Sequence, residues 1–277
     1  MVTASGDFGD KPSVDFPTPI YTDSTERSVL VEGDGEPVRA GAPVRIQFTI
    51  VNGADGEVLG QSKFDDLGQF VTVGADSTLD VITDGLACTS VGSRIAIVGS
   101  AKDTHNGAAD PANGVSANDS FVYVIDLIEA WPAKANGGPQ LPQNGLPAVV
   151  LAPNGAPGVT VPNEEPPTDL KVAELQKADG ETVKAGDAVL MKYTGVLWSD
   201  GGVFDSTWEE GQAVVRELKE GGGLPSGVVE GLTGKTVGSQ ILIVAPPEHA
   251  YGDQGALGIP SGSTLVYVVD ILGIVDL

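Results

Sequence analysis

The sequence predicts an α+β protein built from two similar units, each an antiparallel β-sheet packed on one short α-helix. The chain has 277 residues, a length that suits two domains with separate cores. Three pairs of matching segments relate its two halves, and such a repeat indicates two copies of one fold. The strongest apolar segments are short, rich in Val, Ile, Tyr and Thr, and separated by turns that contain Gly and Asp, as is typical of β-strands.

The repeat sets the expected domain boundaries. Its matching pairs are 32–41 with 177–186, 85–93 with 231–239, and 121–126 with 265–270. The lead-in segments also match, as Pro12-Ser13-Val14 with Pro147-Ala148-Val149. We therefore expect a first unit over 1–131 and a second over 146–277, with its core at 168–277. The stretch 132–145, rich in Pro, Gly and Asn, is expected to be a linker without regular structure.

Within each half, three apolar segments predict strands and one segment predicts a short helix. The predicted strands are 44–51, 93–98 and 121–128 in the first half, and 188–198, 240–244 and 264–273 in the second. The predicted helices begin at 82–86 and 228–232. Because short Gly/Asp turns separate the strands, we expect antiparallel pairing.

The charge and the scarce metal-binding residues exclude several function classes. Lys and Arg number 15 against 38 Asp and Glu, a net charge of -23, so nucleic acid and anionic membrane surfaces are poor partners. Cys88 is the only cysteine, which excludes an intrachain disulfide and a cysteine-based zinc site; we expect it to be a small buried side chain. With His105 and His249 the only histidines, no metal or other cofactor is expected. No stretch of the sequence approaches an apolar membrane span.

A series of short motifs in the second half carries most of the functional information. They are Tyr193-Thr194-Gly195, Phe204-Asp205-Ser206, the Gly-Val-Val-Glu-Gly-Leu run at 227–232, Ala250-Tyr251-Gly252, Ile259-Pro260 and Leu265-Val266-Tyr267. The motifs supply apolar and aromatic side chains, a carboxylate and phenols, but no base beside a serine or cysteine. Such a set predicts a lined binding pocket. Sheet core is the ordinary alternative for any one of these residues, although a carboxylate directly after Phe204 is not what a core selects.

The order and spacing of these motifs resemble the FKBP family, prolyl cis/trans isomerases that also bind tacrolimus and rapamycin, over about 110 residues. The resemblance implies two FKBP-like units with a sheet wrapped on a short helix. It also implies a peptidyl-prolyl isomerase site in the second unit, with Asp205 and Tyr251 as catalytic residues. The residues that would bind substrate are Tyr193, Phe204, Val228, Val229, Leu232, Ile259 and Tyr267.

The resemblance also implies individual roles. Leu232 would form the floor beneath the proline ring, where the best-known members carry tryptophan, and Tyr251 would donate its hydroxyl to a substrate carbonyl. The backbone N–H of Val229 would anchor the extended peptide, and Tyr267 adds a hydroxyl where phenylalanine is usual. Asp205 would either place its charge near the rotating carbonyl or accept a structural hydrogen bond from Tyr193. Val214 and Arg216 stand where the family often has aromatic residues.

The first unit lacks the same residues. Tyr193-Thr194-Gly195 aligns with Phe48-Thr49-Ile50, Phe204-Asp205 with Leu59-Gly60, and Tyr251 with His105. The phenol, the glycine and the carboxylate are therefore lost, which predicts a non-catalytic unit.

These observations favour a foldase that isomerises Xaa-Pro bonds of protein clients through its second unit. A non-catalytic tandem chaperone or peptide-binding module is the alternative. The small, polar residues from Met1 to Asp7 resemble the mature start of FKBP-type lipoproteins of actinobacteria. This likeness implies an exported protein with a lipid anchor upstream; a cytoplasmic protein is the alternative.

Overall fold

The computed structural model describes residues 1–65, 67–219, 221–256 and 258–276. The chain divides into two compact units, Met1–Trp131 and Pro132–Leu277. Every strand pair in both units is antiparallel, as the short Gly/Asp turns predicted.

The described part of the first unit forms one main sheet, one hairpin and two short α-helices. Its elements are β1 (Thr3–Ser5), β2 (Ser13–Asp15), β3 (Glu26–Val31), β4 (Pro43–Asn52), β5 (Val58–Gln61), β6 (Gln69–Thr72), α1 (Asp80–Leu86), β7 (Arg94–Gly99), α2 (Ala101–His105) and β8 (Phe121–Ala130). The sheet order is β3-β7-β8-β4-β5, with β6 also paired to β4, while β1 and β2 pair with each other.

The second unit repeats this order. Its elements are β9 (Gly138–Pro139), β10 (Ala148–Leu151), β11 (Pro157–Thr160), β12 (Lys171–Lys177), β13 (Ala188–Leu197), β14 (Val203–Ser206), β15 (Val214–Glu217), α3 (Ser226–Leu232), β16 (Gln240–Ala245) and β17 (Leu265–Val275). The sheet order is β14-β13-β17-β16-β12-β9, with β15 paired to β13 and a separate β10–β11 hairpin. Apart from the added edge strand β9, the two sheets have the same strand order, and strands lie at all six predicted positions.

Each sheet buries one face against its helix. In the second unit the alternate residues Met191 and Tyr193 of β13 and Val269 of β17 pack with Val228 and Leu232 of α3, because successive side chains of a strand point to opposite faces. The other face is also apolar: Val196, Trp198 and Val266 lie there with Val149 and Val159 of the β10–β11 hairpin. Burial on both faces explains why these strands are almost continuously apolar in sequence.

The hairpin registers correct the expected match between the lead-in segments. Ala4 pairs with Val14 in the first hairpin, and Val149 pairs with Val159 in the second. Val14 therefore corresponds to Val159, and the expected match of Val14 with Val149 is wrong by one strand.

The structure also differs from the expected linker at 132–145. The Ala135 N–H donates to the buried Asp270 carboxylate at 2.8 Å, and the N–H groups of Asn136 and Gly137 donate to the Gly238 carbonyl, both at 3.0 Å. β9 then pairs with β12. Proline and glycine keep this segment out of helices, but its remaining N–H groups are free to satisfy the sheet edge and a buried carboxylate. The segment therefore belongs to the second unit.

Two further expectations fail in the first unit. Cys88 is exposed, not buried, and adopts φ 59° in the turn after α1. The helix α2 was not predicted, because its five residues carry no apolar periodicity; the Ser100 side chain caps it by accepting the Asp103 N–H at 3.2 Å. The described residues of this unit thus form two short α-helices instead of one. Among the residues that the structure describes, none of the helices has the length and apolar character that a membrane crossing requires.

Candidate functional site

Three aromatic rings of the second unit meet on the face of the sheet that packs against α3. Tyr193 on β13, Phe204 on β14 and Tyr267 on β17 come together because Gly195 is paired with both Asp205 and Tyr267 in the sheet register. The Phe204 and Tyr267 rings meet edge to face, with centroids 5.5 Å apart, and the Tyr193 and Tyr267 centroids are 6.0 Å apart. Edge-to-face rings at this separation attract each other beyond their buried area.

Gly195 makes room for this cluster. A Cβ atom at this position would lie 2.5 Å from the Phe204 ring, closer than van der Waals contact allows. The glycine is therefore required here for close approach of the ring, not for an unusual backbone conformation.

The Tyr193 hydroxyl donates to the Asp205 carboxylate at 2.6 Å. Tyr193 is buried whereas Asp205 is exposed. Burial, followed by the hydrogen bond and charge of Asp205, raises the pKa of Tyr193 to about 12, while the Arg216 guanidinium acts in the opposite direction. The phenol therefore stays protonated at neutral pH. Asp205 was expected either to accept a hydrogen bond from Tyr193 or to place its charge near the substrate carbonyl. The structure contains the first of these interactions.

Tyr251 lies at the rim of the aromatic cluster. It separates two 3-10 turns, Pro247–His249 and Gly252–Gln254, and is 36% exposed. Burial is the main cause that raises the pKa of Tyr267, and the neighbouring Tyr251 phenol, within hydrogen-bonding reach, raises it further. Ile259, which is 7% exposed, exchanges backbone hydrogen bonds with Ala256 in the next turn. Tyr251 is thus the phenol of the cluster that a ligand can reach.

The structure changes the roles expected for α3. Val228 and Leu232, four residues apart on one helix face, have no accessible surface. A side chain so enclosed supports the site from within the core, so Leu232 is not an open floor. The Val229 side chain is only partly buried, but its N–H donates to the Pro225 carbonyl at 3.2 Å inside the helix. That N–H is therefore not the free peptide anchor that the sequence led us to expect.

Arg216, which stands where the family often has an aromatic residue, reaches the same face as a charged residue. Arg216 pairs with Val189 in the register of β15 and β13. Its guanidinium lowers the pKa of the Tyr193 hydroxyl, against the larger effects of burial and Asp205. Its two-residue spacing from Val214, which packs on the core, is the signal that could have identified it.

The first unit has the same backbone register without the same chemistry. Ile50 is paired with Gly60 where Gly195 is paired with Asp205, which agrees with the sequence alignment. The carboxylate is missing, and Ile50 stands where the second unit needs glycine. His105 stacks on Phe121 with centroids 4.8 Å apart, and its ring nitrogens lie 2.8 Å from the carbonyl oxygens of Ala108 and Asp119. The first unit therefore cannot form the phenol–carboxylate pair.

Comparison with known proteins identifies relatives of part of the chain. A family model described as FKBP-type peptidyl-prolyl cis-trans isomerase matches residues 179–272. An FK506-binding protein of Streptomyces anulatus is 37% identical over 120 residues, which are 43% of this chain and 96% of that protein. A probable FK506-binding protein of Corynebacterium glutamicum is 34% identical over 116 residues, 42% of this chain and 96% of its own. The crystal structure of FkpA from Escherichia coli is similar over 48% of this chain and 52% of that one, with 32% identity and a TM-score of 0.36.

Proposed function

The chain belongs to the FKBP-type peptidyl-prolyl cis-trans isomerase family, and from this premise we propose that its second unit isomerises Xaa-Pro bonds of polypeptide clients. The observation that carries the proposal is the cluster of Tyr193, Phe204 and Tyr267 beside an accessible Tyr251. The family match at 179–272 lies wholly within this unit.

The reaction needs a shaped apolar site more than an acid or a base. Conjugation gives the planar amide a rotational barrier of ~18 to 20 kcal/mol, and its carbonyl oxygen is more negative when planar than when twisted. Aromatic walls that withdraw water from this carbonyl destabilise the planar form relative to the twisted transition state. Each ~1.4 kcal/mol of such differential binding increases the rate tenfold. The partly buried Phe204 provides apolar surface of this kind, and the buried Tyr267 and Ile259 support it from the core.

The polar groups around the cluster have two roles, a hydrogen-bond donor to the substrate carbonyl and a negative charge near it. The Tyr193 hydroxyl proton is already donated to Asp205, so Tyr193 is not the donor for a substrate carbonyl. Tyr251 is exposed and supplies that donor. The Asp205 carboxylate lies at the edge of the site, where it opposes build-up of negative charge on the planar carbonyl.

We propose that the first unit does not catalyse the reaction. Gly60 replaces the carboxylate and Ile50 occupies the place of Gly195. A unit with the same sheet and a blocked site can still bind or position clients, and this would be its contribution to the full chain.

The experiment compares two residues at matching positions in the full-length chain. Asp205, which pairs with Gly195, and Gly60, which pairs with Ile50, occupy matching positions in the two sheets. Phe204 directly precedes Asp205, and Leu59 directly precedes Gly60. Turnover of a proline tetrapeptide should fall at least tenfold in Phe204→Ala, a ~1.4 kcal/mol loss of transition-state binding, and should not change in Leu59→Ala. Tacrolimus should raise the melting temperature of the wild type and not of Phe204→Ala, because a ligand of the native state stabilises by RT ln(1 + [L]/Kd). Equal losses in both variants would contradict the assignment to the second unit. Binding of the peptide without turnover would support a chaperone instead.

A further inference from the structure

We propose that Arg216 makes the site of the second unit selective for prolines that follow an acidic residue, by pairing with the carboxylate of that residue. The inference rests on the proposed function, since it names the substrate preference of the same site. The family often has an aromatic residue at position 216. In this chain, the arginine at that position would determine substrate specificity.

The strand register puts Arg216 on the side of the sheet that carries the site. In β15, Val214 is paired with Met191 and Arg216 with Val189. Val189, Met191 and Tyr193 alternate along β13, so all three face the core cluster, and Val214 packs against that cluster. Arg216 shares the face of Val214 and is only partly buried. Its cationic group therefore lies at the edge of a surface that is apolar and phenolic apart from the Asp205 carboxylate, which accepts the Tyr193 hydroxyl.

The guanidinium has hydrogen-bonding capacity to spare. Nη1 of Arg216 donates to the Val215 carbonyl at 3.0 Å. The guanidinium also lowers the pKa of the Tyr193 hydroxyl through its charge and a hydrogen bond. Among the residues described, no carboxylate lies within ion-pair distance of Arg216. The nearby Glu217 is held by Lys219 at 2.7 Å. Because an arginine offers five N–H donors in a planar fork, a substrate carboxylate can still pair with it.

An open surface depression beside Arg216 offers space for the acidic side chain. It has a volume of about 450 Å³ and is lined by Val215, Arg216, Glu217 and the three glycines at 221–223. The glycines contribute backbone without side chains, and the Glu217 charge is already paired. Among the described residues that line this space, Arg216 is thus the charge without a carboxylate partner.

The overall charge of the chain does not cancel this preference. The net charge of -23 repels an acidic peptide at long range, but salt at about 0.15 M limits that repulsion to about 8 Å. A direct contact with a partly buried arginine is screened much less. Any variant that loses one positive charge changes this long-range repulsion by the same amount. A variant of a distant lysine therefore serves as the control for it.

The test compares Ala-Glu-Pro-Phe with Ala-Gln-Pro-Phe, which differ in charge but hardly in shape. Exchange NMR on the full-length chain measures isomerisation, and chemical-shift titration measures Kd. We expect the wild type to favour the Glu peptide about threefold to fivefold, as for an ion pair near the surface. Arg216→Gln should bring the ratio to about one or below, and Arg216→Lys, which keeps the charge but loses the fork, should lie between. The control is Lys184→Gln, an exposed cation of the same unit, and it should retain the wild-type ratio.

The outcomes separate this inference from the isomerase proposal. If both peptides are isomerised and the ratio is the same in Arg216→Gln as in the wild type, the specificity inference is wrong and the isomerase stands. If neither peptide is isomerised but the Glu peptide binds more tightly in an Arg216-dependent way, the inference stands and the isomerase proposal fails. Failure of both peptides to bind overturns the inference as well.

Discussion

The Phe204 ring packs directly on the backbone of Gly195, where a Cβ atom would lie 2.5 Å from the ring. In the first unit the corresponding residue is Ile50, paired with Gly60 in the same register. One missing side chain in the second unit therefore admits the ring that completes the aromatic cluster. An added side chain in the first unit occupies the same place.

Substitution of Gly195 should damage the site more than the fold. In Gly195→Ala the Cβ must displace the Phe204 ring, a strain of about 1 to 3 kcal/mol. We expect kcat/KM for a proline tetrapeptide to fall about tenfold while the chain still folds, as circular dichroism and assay together will report. The matched change Ile50→Ala in the first unit should leave kcat/KM unaffected. An active Gly195→Ala variant would show that the Phe204 ring position does not matter for catalysis.

Loss of the accessible phenol should reduce activity modestly. Tyr251→Phe removes one hydrogen bond of about 1 kcal/mol to the substrate, which corresponds to roughly fivefold in kcat/KM. The melting temperature should stay within about 1 °C, since Tyr251 is 36% exposed. Steady-state kinetics and calorimetry measure the two effects. A large drop in melting temperature with unchanged kinetics would reassign Tyr251 to a structural role.

Alkaline pH should destabilise the second unit through Tyr193. Burial first, and Asp205 second, raise its pKa from 10.0 to about 12. The folded state therefore holds a proton that the unfolded state releases, so this stability is complete below pH 10 and is lost as the pH rises towards 12. Two pKa units correspond to at most about 3 kcal/mol.

Urea unfolding between pH 9 and 12 measures this loss. In Tyr193→Phe the free energy of unfolding of the second unit should fall less steeply with pH. Part of the fall should remain, because the pKa of Tyr267 is also raised. Tyr123 in the first unit, raised to about 12 by burial alone, provides a control, since Tyr123→Phe should flatten only the first unit's decline. An unchanged slope in Tyr193→Phe would contradict the prediction.

Removal of segment 132–145 should weaken the second unit. A chain that begins at 146 loses the Ala135 N–H that binds Asp270 and the two bonds to Gly238. A buried carboxylate deprived of a donor costs about 1 to 3 kcal/mol or more. We expect a melting temperature several degrees below that of a chain beginning at 132, measured by calorimetry. Equal melting temperatures would mean that the segment is a linker after all.

Leu232 should behave as a core residue. Because it has no accessible surface, Leu232→Ala should cost about 2 to 5 kcal/mol of unfolding free energy. Leu86 of the first unit is equally buried, so Leu86→Ala should cost a similar amount in that unit. Tacrolimus affinity, measured by calorimetry on the folded Leu232→Ala variant, should change little. A tenfold loss of affinity would restore Leu232 as a contact residue.

The sequence by itself determined the repeat, the strands and the residue types of the site. Strand periodicity and turn residues are local signals, so the strand at 188–198 could be predicted without knowledge of its partners. The loss of the carboxylate at Gly60 could also be read from the repeat, because the two units share one register.

Only the tertiary structure decided which groups are available. The N–H of Ala135 meets Asp270, 135 residues later, and no local pattern reports such a contact. The burial of Leu232 and the exposure of Cys88 likewise depend on what packs above them. Residue type limits what a side chain can do, but burial and long-range hydrogen bonds decide whether a ligand can reach it.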